Sequence, residues 1–441
     1  MSAIQGRMDP KARRAEVPAV HARAPRRALS YVGGEIETGG DPAAAKLLAH
    51  ALDVPHAEGT DIASAPTRDA GTPTRAEDPH RAHVHGFHTY PARMHPLTAS
   101  RLVEAFCAPR GIVLDPFCGS GTVLVEAAVA GRDAIGTDLN PLAVRLARCK
   151  TRLRTPEQVA RLVSGAREIA AYADDRRKTR AGATRRYWQE DVELFDAHVL
   201  LELDGLRAGI EQASDVESRA DLQLVLSAIL VKMSKKRGDT SERTAPARLA
   251  AGYPARLFVK KTEELGRRFC DLARLVPSPH PRASVALDDA TALRTVHKCS
   301  AIITSPPYVA TYDYVAHHAL RMRWLGIDAR AFEAGEIGAR RRYAAMSPEE
   351  ARAAWRDELG AFLRASSRVL PPGAPLVLLM ADSAVGKQAL RAEEIVADIA
   401  EACRFLPVAR ASQRRAHFHG PTLAAFAKVP RAEHALLLTR V

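Results

Sequence analysis

The sequence lacks a long hydrophobic run, which argues against a segment that crosses a membrane. Its longest apolar stretch, residues 222–231, is shorter than the ~20 helical residues that span a bilayer. The N-terminal region is rich in arginine but has no apolar stretch typical of a secretion signal. We therefore expect a cytoplasmic protein.

Cysteine is scarce, and the six cysteines form no Cys-x-x-Cys pair. Neither a zinc site nor a disulfide framework is indicated, which fits a reducing compartment. His83, His85, His88 and His95 lie close together in the sequence but have no cysteine or carboxylate partner at ligand spacing. We expect no metal.

The sequence also lacks two nucleotide-binding motifs. It has no Gly-Lys-Ser/Thr of a P-loop, so a nucleoside triphosphate is disfavoured. The Gly-rich turn at residues 115–122 contains only Gly119 and Gly121, not the Gly-x-Gly-x-x-Gly of a dinucleotide site.

Positive charge, by contrast, is in excess, with a formal net charge of +13 and a pI near 9.7. Residues 1–80 are nearly balanced, whereas residues 231–280 carry twelve basic and five acidic groups. This distribution favours a polyanionic partner, because Lys and Arg displace counterions from phosphates. A general bias toward arginine in the source proteome is the alternative explanation.

From residue 111 onward, short apolar runs alternate with helical periodicity, which predicts an α/β protein with a doubly wound, mainly parallel sheet. We predict strands at 111–115, 133–138, 284–287, 301–304, 375–380, 407–411 and 434–439. We predict helices at 121–130, 140–150, 347–370 and 392–403.

Two regions depart from this alternation. Residues 1–80 have little apolar periodicity and are expected to be a disordered tail, apart from a short helix at 43–52. Residues 151–281 show helical periodicity and are expected to form an inserted helical subdomain. The sheet domain is then divided into a first part, 81–150, and a second part, 282–441.

Acids and glycines at the predicted strand ends indicate a nucleoside site. Ligands of open α/β sheets bind beyond the carboxyl ends of the strands. Asp115 and Asp138 end the first two predicted strands, and Gly119 and Gly121 permit close approach of a ligand. Asp138 is placed to accept hydrogen bonds from ribose hydroxyls.

Residues 304–308, Thr-Ser-Pro-Pro-Tyr, follow the fourth predicted strand and suit recognition of a planar base. The Ser305 hydroxyl and the Pro306 carbonyl can accept hydrogen bonds from an exocyclic amine. Pro306 and Pro307 stiffen the turn, and Tyr308 offers an aromatic face to a base turned out of the helix. An ordinary rigid turn with a buried tyrosine is the alternative reading.

These stretches resemble the motifs of S-adenosylmethionine-dependent amino-methyltransferases that modify cytosine N4 or adenine N6 in DNA. The resemblance covers about residues 84–150 and 284–441 and implies a class I methyltransferase fold. Residues 87–96 resemble the segment that closes over the methionine end of the cofactor, and Asp289 resembles the acid that contacts its adenine. The cofactor-binding residues assigned in this way are His88, Tyr90, Pro91, Asp115, Pro116, Phe117, Gly119, Gly121, Thr122, Asp138, Leu139, Asn140 and Asp289.

The resemblance assigns catalysis to Ser305, Pro306, Pro307 and Tyr308. Serine at the first of these positions resembles the residue found there in the cytosine-N4 enzymes. Cytosine N4 is therefore the expected target atom, and adenine N6 is the alternative. No Pro-Cys dipeptide occurs, which argues against carbon-5 cytosine methylation. Tyr314 and Trp324 are equally compatible with a base pocket and with a hydrophobic core.

DNA is the expected partner, with RNA as the alternative, and a restriction endonuclease is a further candidate partner. We predict nucleic-acid contacts from Lys235, Lys236, Arg237 and Arg341, with Arg414 and Arg415 as other candidates. A solvated helical face is the alternative for the first three. RNA base methylation and a non-enzymatic, cofactor-binding regulator remain alternatives for the whole chain.

Overall fold

The computed structural model describes residues 33–54, 81–238, 244–245, 248–416 and 420–441. Residues 33–54 form strand β1 (Gly33–Gly40) and helix α1 (Pro42–Leu52). The predicted disordered tail is wrong at β1, while residues 1–32 and 55–80 of the tail lie outside the described residues. The predicted helix at 43–52 is confirmed. Its face of Ala45, Leu48, Ala51 and Leu52 is buried, and Asp41 caps its first turn.

A single large sheet of eight strands forms the centre of the described structure. Besides β1 its strands are β2 (Ile112–Asp115), β3 (Asp133–Asp138), β4 (Ala283–Leu287), β5 (Ala301–Thr304), β6 (Pro375–Ala381), β9 (Phe405–Arg415) and β10 (Ala432–Arg440). A small hairpin, β7 (Ser383–Val385) and β8 (Gln388–Leu390), follows β6.

The strand order is β1-β9-β10-β6-β5-β2-β3-β4. Strands β4, β3, β2, β5 and β6 are parallel, whereas β10 is antiparallel to both β6 and β9, and β1 is antiparallel to β9. This order confirms the predicted class I methyltransferase-like, mainly parallel fold, to which β1 adds an edge strand.

Helices cover the sheet, and several begin at a local sequence signal. These helices are α2 (Pro96–Phe106), α3 (Thr122–Val129), α4 (Pro141–Thr151), α10 (Tyr314–Trp324), α11 (Arg330–Gly335), α12 (Arg340–Tyr343), α13 (Pro348–Val369) and α14 (Ala392–Ala400). Ser347 and Glu350 form a complete capping box at the start of α13. The Asn140 side chain caps α4.

The predicted helical insert consists of α5 (Pro156–Lys178), α6 (Gln189–Leu194), α7 (Ala197–Gln212), α8 (Val216–Met233) and α9 (Tyr253–Leu275). Its hydrophobic core is continuous with that of the sheet domain, because Leu203, Leu226 and Phe258 join one cluster with Leu146 and Trp324. The insert is therefore packed onto helices α4 and α10.

The topology determines where a ligand can bind. From β2 the chain proceeds outward through β3 to β4, and then returns to place β5 on the other side of β2. The order of the strands reverses between β2 and β5, and the loops that leave such a switch point diverge to leave a crevice.

No described helix is both long and apolar enough to cross a membrane.

Candidate active site

A cleft of about 680 Å³, open to solvent, lies at this switch point. The residues that line it are Tyr90, Ala92, Pro116, Phe117, Gly119, Asp138, Leu139, Asn140, Asp289, Ala290, Ser305, Pro307, Tyr314, Phe332, Gly335, Glu336 and Ile337. The loops after β2 and β5 therefore face the same space.

Asp138, at the end of β3, is positioned by two backbone groups. Its Oδ2 accepts a hydrogen bond from Gly119 N and its Oδ1 from Asn140 N, both at 2.8 Å. Burial nevertheless raises the pKa of this carboxyl to about 6. A carboxylate has about four lone-pair sites, so Asp138 keeps capacity for two further donors such as ribose hydroxyls.

Asp115, at the end of β2, does not line the cleft and has a structural contact instead. The hydroxyl of Thr304, the last residue of β5, donates to Asp115 Oδ1 at 2.6 Å. Burial is the main cause of a raised pKa of about 7 for Asp115, and the nearby charge of Asp138 also raises it. This bond joins the two strands whose loops form the cleft.

Gly119 allows an aromatic ring to lie against the turn. It has φ +49°, and a Cβ atom there would lie 3.2 Å from Cε1 of Tyr90. The Tyr90 ring is stacked on His318 and Tyr314, with centroid distances of 4.9 and 6.2 Å. Asn140 donates from Nδ2 to the Tyr90 hydroxyl at 3.2 Å, so this ring forms a fixed wall of the cleft.

Gly121 and Thr122 shape the turn from behind the cleft. Gly121 has φ +86°, and a Cβ atom there would lie 3.1 Å from Cα of Ala147 in α4. Thr122 is the first residue of α3 and is buried. Neither lines the cleft, so their contribution is to hold the turn in place.

Besides Asp115, Gly121 and Thr122, two further residues predicted to contact the cofactor, His88 and Pro91, lie outside the cleft lining. His88 is buried beneath the aromatic wall, with its Nε2 3.0 Å from Ser227 Oγ of α8 and its Nδ1 2.7 Å from Thr89 O. We infer that His88 supports the segment that carries Tyr90, because its contacts join this segment to the insert.

The two adjacent acids after β4 have different surroundings. Asp288 is buried and accepts hydrogen bonds from the backbone and hydroxyl of Thr295, both at 2.7 Å. Asp289 lines the cleft, and its Oδ1 accepts from the backbone and hydroxyl of Thr291. The structure thus places Asp289, the acid chosen from the sequence, at the ligand side.

The Ser-Pro-Pro-Tyr turn reaches the cleft through some of its residues. Ser305 and Pro307 line the cleft, whereas Pro306 is buried. Tyr308 is not among the lining residues but is partly exposed, and its hydroxyl donates to Glu433 Oε1 at 2.9 Å. Burial and the Glu433 charge raise the pKa of Tyr308 well above its usual value, so the hydroxyl stays protonated and donates.

Sequence reasoning missed one side of the cleft, the segment that contributes Phe332, Gly335, Glu336 and Ile337. Glu336 accepts from the backbone N of Tyr314 at 2.7 Å and also pairs with Arg341. No motif marks this segment; its short helix α11 reaches the site only through the fold.

The structure distinguishes Tyr314 from Trp324, which by sequence were equally compatible with a base pocket and with a hydrophobic core. Tyr314 lines the cleft. Trp324 is buried, and its ring nitrogen donates to Asp191 at 3.1 Å. Tyr314 is therefore a site residue, and Trp324 belongs to the core.

The predicted nucleic-acid contacts occupy two different places. Lys235 donates to the carbonyl of Glu193 at 3.0 Å and lies 3.7 Å from Asp196, while Arg237 is exposed at the end of the insert helix α8, next to the half-buried Lys236. Arg341 lies beside the cleft through Glu336. Arg415 pairs with Glu433 and is only 10% exposed.

The fold brings the carboxylate of Glu126 next to His83 and His85. The spacing of these residues in the sequence did not indicate this contact. The candidate ligand atoms of His83, His85 and Glu126 lie within 4.8 Å of one another. His85 Nε2 and Glu126 Oε1 are 2.7 Å apart. Burial lowers the pKa of His85 well below its usual value, and the nearby charges of Lys150 and Arg93 lower it further. These charges oppose a cation here.

Comparisons with known proteins support one family. Residues 66–148 match the family model N6_N4_Mtase, described as DNA methylase. The chain is 37% identical over 84 residues to the Type II methyltransferase M.MvaI of Kocuria varians, a match that covers 18% of each protein.

Over 281 residues it is 25% identical to the Type II methyltransferase M.BsoBI of Geobacillus stearothermophilus, covering 56% of this chain and 53% of that one. The chain thus spans about half or less of the length of these relatives. A solved SAM-dependent methyltransferase from Methanosarcina mazei overlaps 80% of this chain and 99% of its own at 10% identity, with a TM-score of 0.32.

Proposed function

We propose that the chain is an amino-methyltransferase that transfers a methyl group from S-adenosylmethionine to an exocyclic amine of a DNA base, which its similarity to the DNA methylase family model and to Type II methyltransferases supports. The observation that carries the proposal is the shared cleft: the loop with Gly119 and the loop with Ser305 open onto the same space. A site built for only one of the two reactants would not need both loops.

The cleft residues fit the cofactor. Asp138 retains acceptor capacity for ribose hydroxyls beside Leu139, and Asp289 lies on the same cleft wall for the adenine amine. The space over Gly119, which is bounded by Tyr90, is open to the methionine end because glycine has no side chain there. When bound, the cofactor supplies a methyl group made electrophilic by the positively charged sulfur.

The residues of the second loop act on the base. An exocyclic amine is a weak nucleophile because its lone pair is delocalised into the ring. The Ser305 hydroxyl and the Pro306 carbonyl accept hydrogen bonds from the two amine hydrogens and draw the nitrogen toward tetrahedral geometry. Pro306 and Pro307 keep these acceptors in place, so orientation supplies much of the rate acceleration.

Cytosine N4 is the proposed target atom. The support is Ser305, because serine at this motif position resembles the cytosine-N4 enzymes, and it lines the cleft. Since the matched relatives are Type II methyltransferases, we also propose a restriction endonuclease with the same target as the functional partner.

Incubating the protein with labelled cofactor and separate DNA and RNA pools, followed by nucleoside mass spectrometry, tests this proposal. We expect N4-methylcytosine in DNA. N6-methyladenine would contradict the target atom, and label found only in RNA would contradict the substrate.

The Ser305→Ala protein tests the catalytic assignment. We expect kcat to fall on the order of 10²-fold, the usual effect of removing one preorganised hydrogen-bonding group, with cofactor affinity unchanged. Ser164→Ala, on the exposed face of α5, is the matched control. Full turnover of Ser305→Ala would remove Ser305 from the mechanism.

A further inference from the structure

Tyr308 is held at its hydroxyl by a carboxylate from the antiparallel half of the sheet. The hydroxyl donates to Glu433 Oε1 at 2.9 Å. Glu433 lies on β10, three strands away from β2, whose loop carries Gly119. The contact joins the base-binding turn to a part of the sheet that does not line the cleft.

Arg415 of the neighbouring strand β9 holds the other oxygen of this carboxylate. Its Nε and Nη2 atoms donate to Glu433 Oε2 at 2.9 and 2.6 Å. Bonds of a guanidinium to one carboxylate are charge-assisted and restrict its orientation. The side chains of Arg415 and Glu433 are 10% and 20% exposed, so water screens the pair weakly.

The backbone around this pair is itself fixed. Arg415 N donates to Arg431 O at 2.8 Å, and Ala432 N donates to Asp382 Oδ2 at 3.1 Å. The first bond joins the end of β9 to the residue before β10, and the second joins the start of β10 to Asp382, the residue after β6. The carboxylate therefore projects from a rigid base rather than from a mobile loop.

Arg415 and Tyr308 bind different oxygens of the Glu433 carboxylate, so Glu433 does more than neutralise the charge of Arg415. Both arginine bonds go to Oε2, which leaves Oε1 to the Tyr308 hydroxyl. A tyrosine ring that follows two prolines retains rotation about its side-chain bonds. A fixed acceptor at the hydroxyl limits that rotation and sets the plane of the ring.

We propose that Glu433, held by Arg415, is a positioning residue that sets the ring of Tyr308 in the plane against which the target base stacks. The inference rests on the proposed function, since it concerns how the methylated base is held. Glu433 acts through Tyr308 and touches neither the base nor the cofactor.

A double-mutant cycle of Tyr308→Phe and Glu433→Ala tests this coupling. Each single change should lower kcat/KM for DNA about 10-fold with the cofactor Kd unchanged. The double variant should be no slower than either single one, because removal of the hydroxyl leaves Glu433 nothing to position. Asp398→Ala, which removes an exposed carboxylate paired with Arg352, should keep wild-type kinetics.

Independent, multiplying losses in the double variant would overturn the proposal, because a purely structural Glu433 would act without Tyr308. Tyr308→Phe keeps the ring and removes one oxygen, so wild-type kcat/KM for this variant would overturn the proposal even if Glu433→Ala failed to fold. A wild-type protein that methylates no DNA would instead contradict the proposed function, which separates the two failures.

Discussion

Asp115 and Asp138 end neighbouring parallel strands, yet Asp115 is buried whereas Asp138 is partly exposed, and their partners differ. Asp115 contacts Thr304 of the adjacent strand β5, whereas Asp138 accepts two backbone N–H groups and lines the cleft. Desolvation raises the pKa values of the two groups to about 7 and about 6. Identical side chains at equivalent strand ends thus join two strands in one case and face the cleft in the other.

Cofactor affinity is expected to depend on pH through Asp138. Its raised pKa means that the carboxylate is ionised above about pH 6 and protonated below it. Ribose hydroxyls bond more strongly to the charged form, so the Kd for S-adenosylmethionine should rise roughly 10-fold from pH 7.5 to pH 5. Isothermal titration calorimetry measures this change. Asp138→Asn should bind weakly with little pH dependence; a wild-type-like profile would contradict the assignment.

Gly119→Ala is expected to weaken both the fold and cofactor binding. The residue has φ +49°, and the new methyl group would lie 3.2 Å from the Tyr90 ring. The backbone conformation alone costs about 1–2 kcal/mol for an L-residue. Gly165→Ala is the control: it has nothing within 4 Å in helix α5 and should stabilise by about 0.5–1 kcal/mol. Equal thermal midpoints for the two variants would contradict this account.

At the scale of elements, the sequence predicts where the capped helices begin more readily than it predicts strand β1. Ser347 and Glu350 begin α13 through contacts three residues apart, and such local signals are legible in a sequence. Strand β1 contains only one large apolar residue, Ile36, and pairs with residues of β9 more than 300 positions away. Its pairing partner, not its own composition, makes it a strand.

Helix α1, the short helix predicted within the N-terminal tail, should contribute measurably to stability. Leu48 of α1 is fully buried against the sheet, so Leu48→Ala should lower the free energy of unfolding by about 2–5 kcal/mol. Leu47 is 44% exposed, and Leu47→Ala should change the free energy of unfolding by less than about 0.5 kcal/mol. Urea denaturation measures the free energy of unfolding of both variants. Equal losses would show that α1 does not pack against the sheet in solution.

At the scale of the whole molecule, the excess positive charge is distributed over at least two surfaces. One is the end of α8 in the insert, where Arg237 is exposed, and the other is beside the cleft, where Arg341 pairs with Glu336. Both surfaces belong to one continuous fold, because the insert shares its core with α4 and α10.

Neutralising the first surface should change the salt dependence of DNA binding. In Lys235→Gln/Lys236→Gln/Arg237→Gln, the slope of log K against log salt should decrease by about 2–3, since each lost phosphate contact contributes about 0.9. A control with the same change in charge replaces Arg167, Lys178 and Arg274, which are exposed on α5 and α9. Fluorescence anisotropy over a salt series measures both slopes. Equal slopes would assign the insert surface to solvent.

The amino-acid sequence by itself determined most strands of the sheet and the residue types that suggest the chemistry of the site. Alternation of short apolar runs with helices specified a parallel sheet, and the types and spacing of Gly119, Asp138 and Ser305 indicated a nucleoside and a base amine. These signals are readable because they arise from backbone preferences and from contacts within a few residues.

Only the tertiary structure decided which residues meet. It placed Asp115 behind the cleft, brought Glu336 to its wall, added β1 to the sheet edge and set Glu433 against Tyr308. Each of these contacts joins residues from separate elements, and no periodicity or spacing encodes them. They depend on strand order and on the direction of side chains at the sheet, which exist only once the chain has packed.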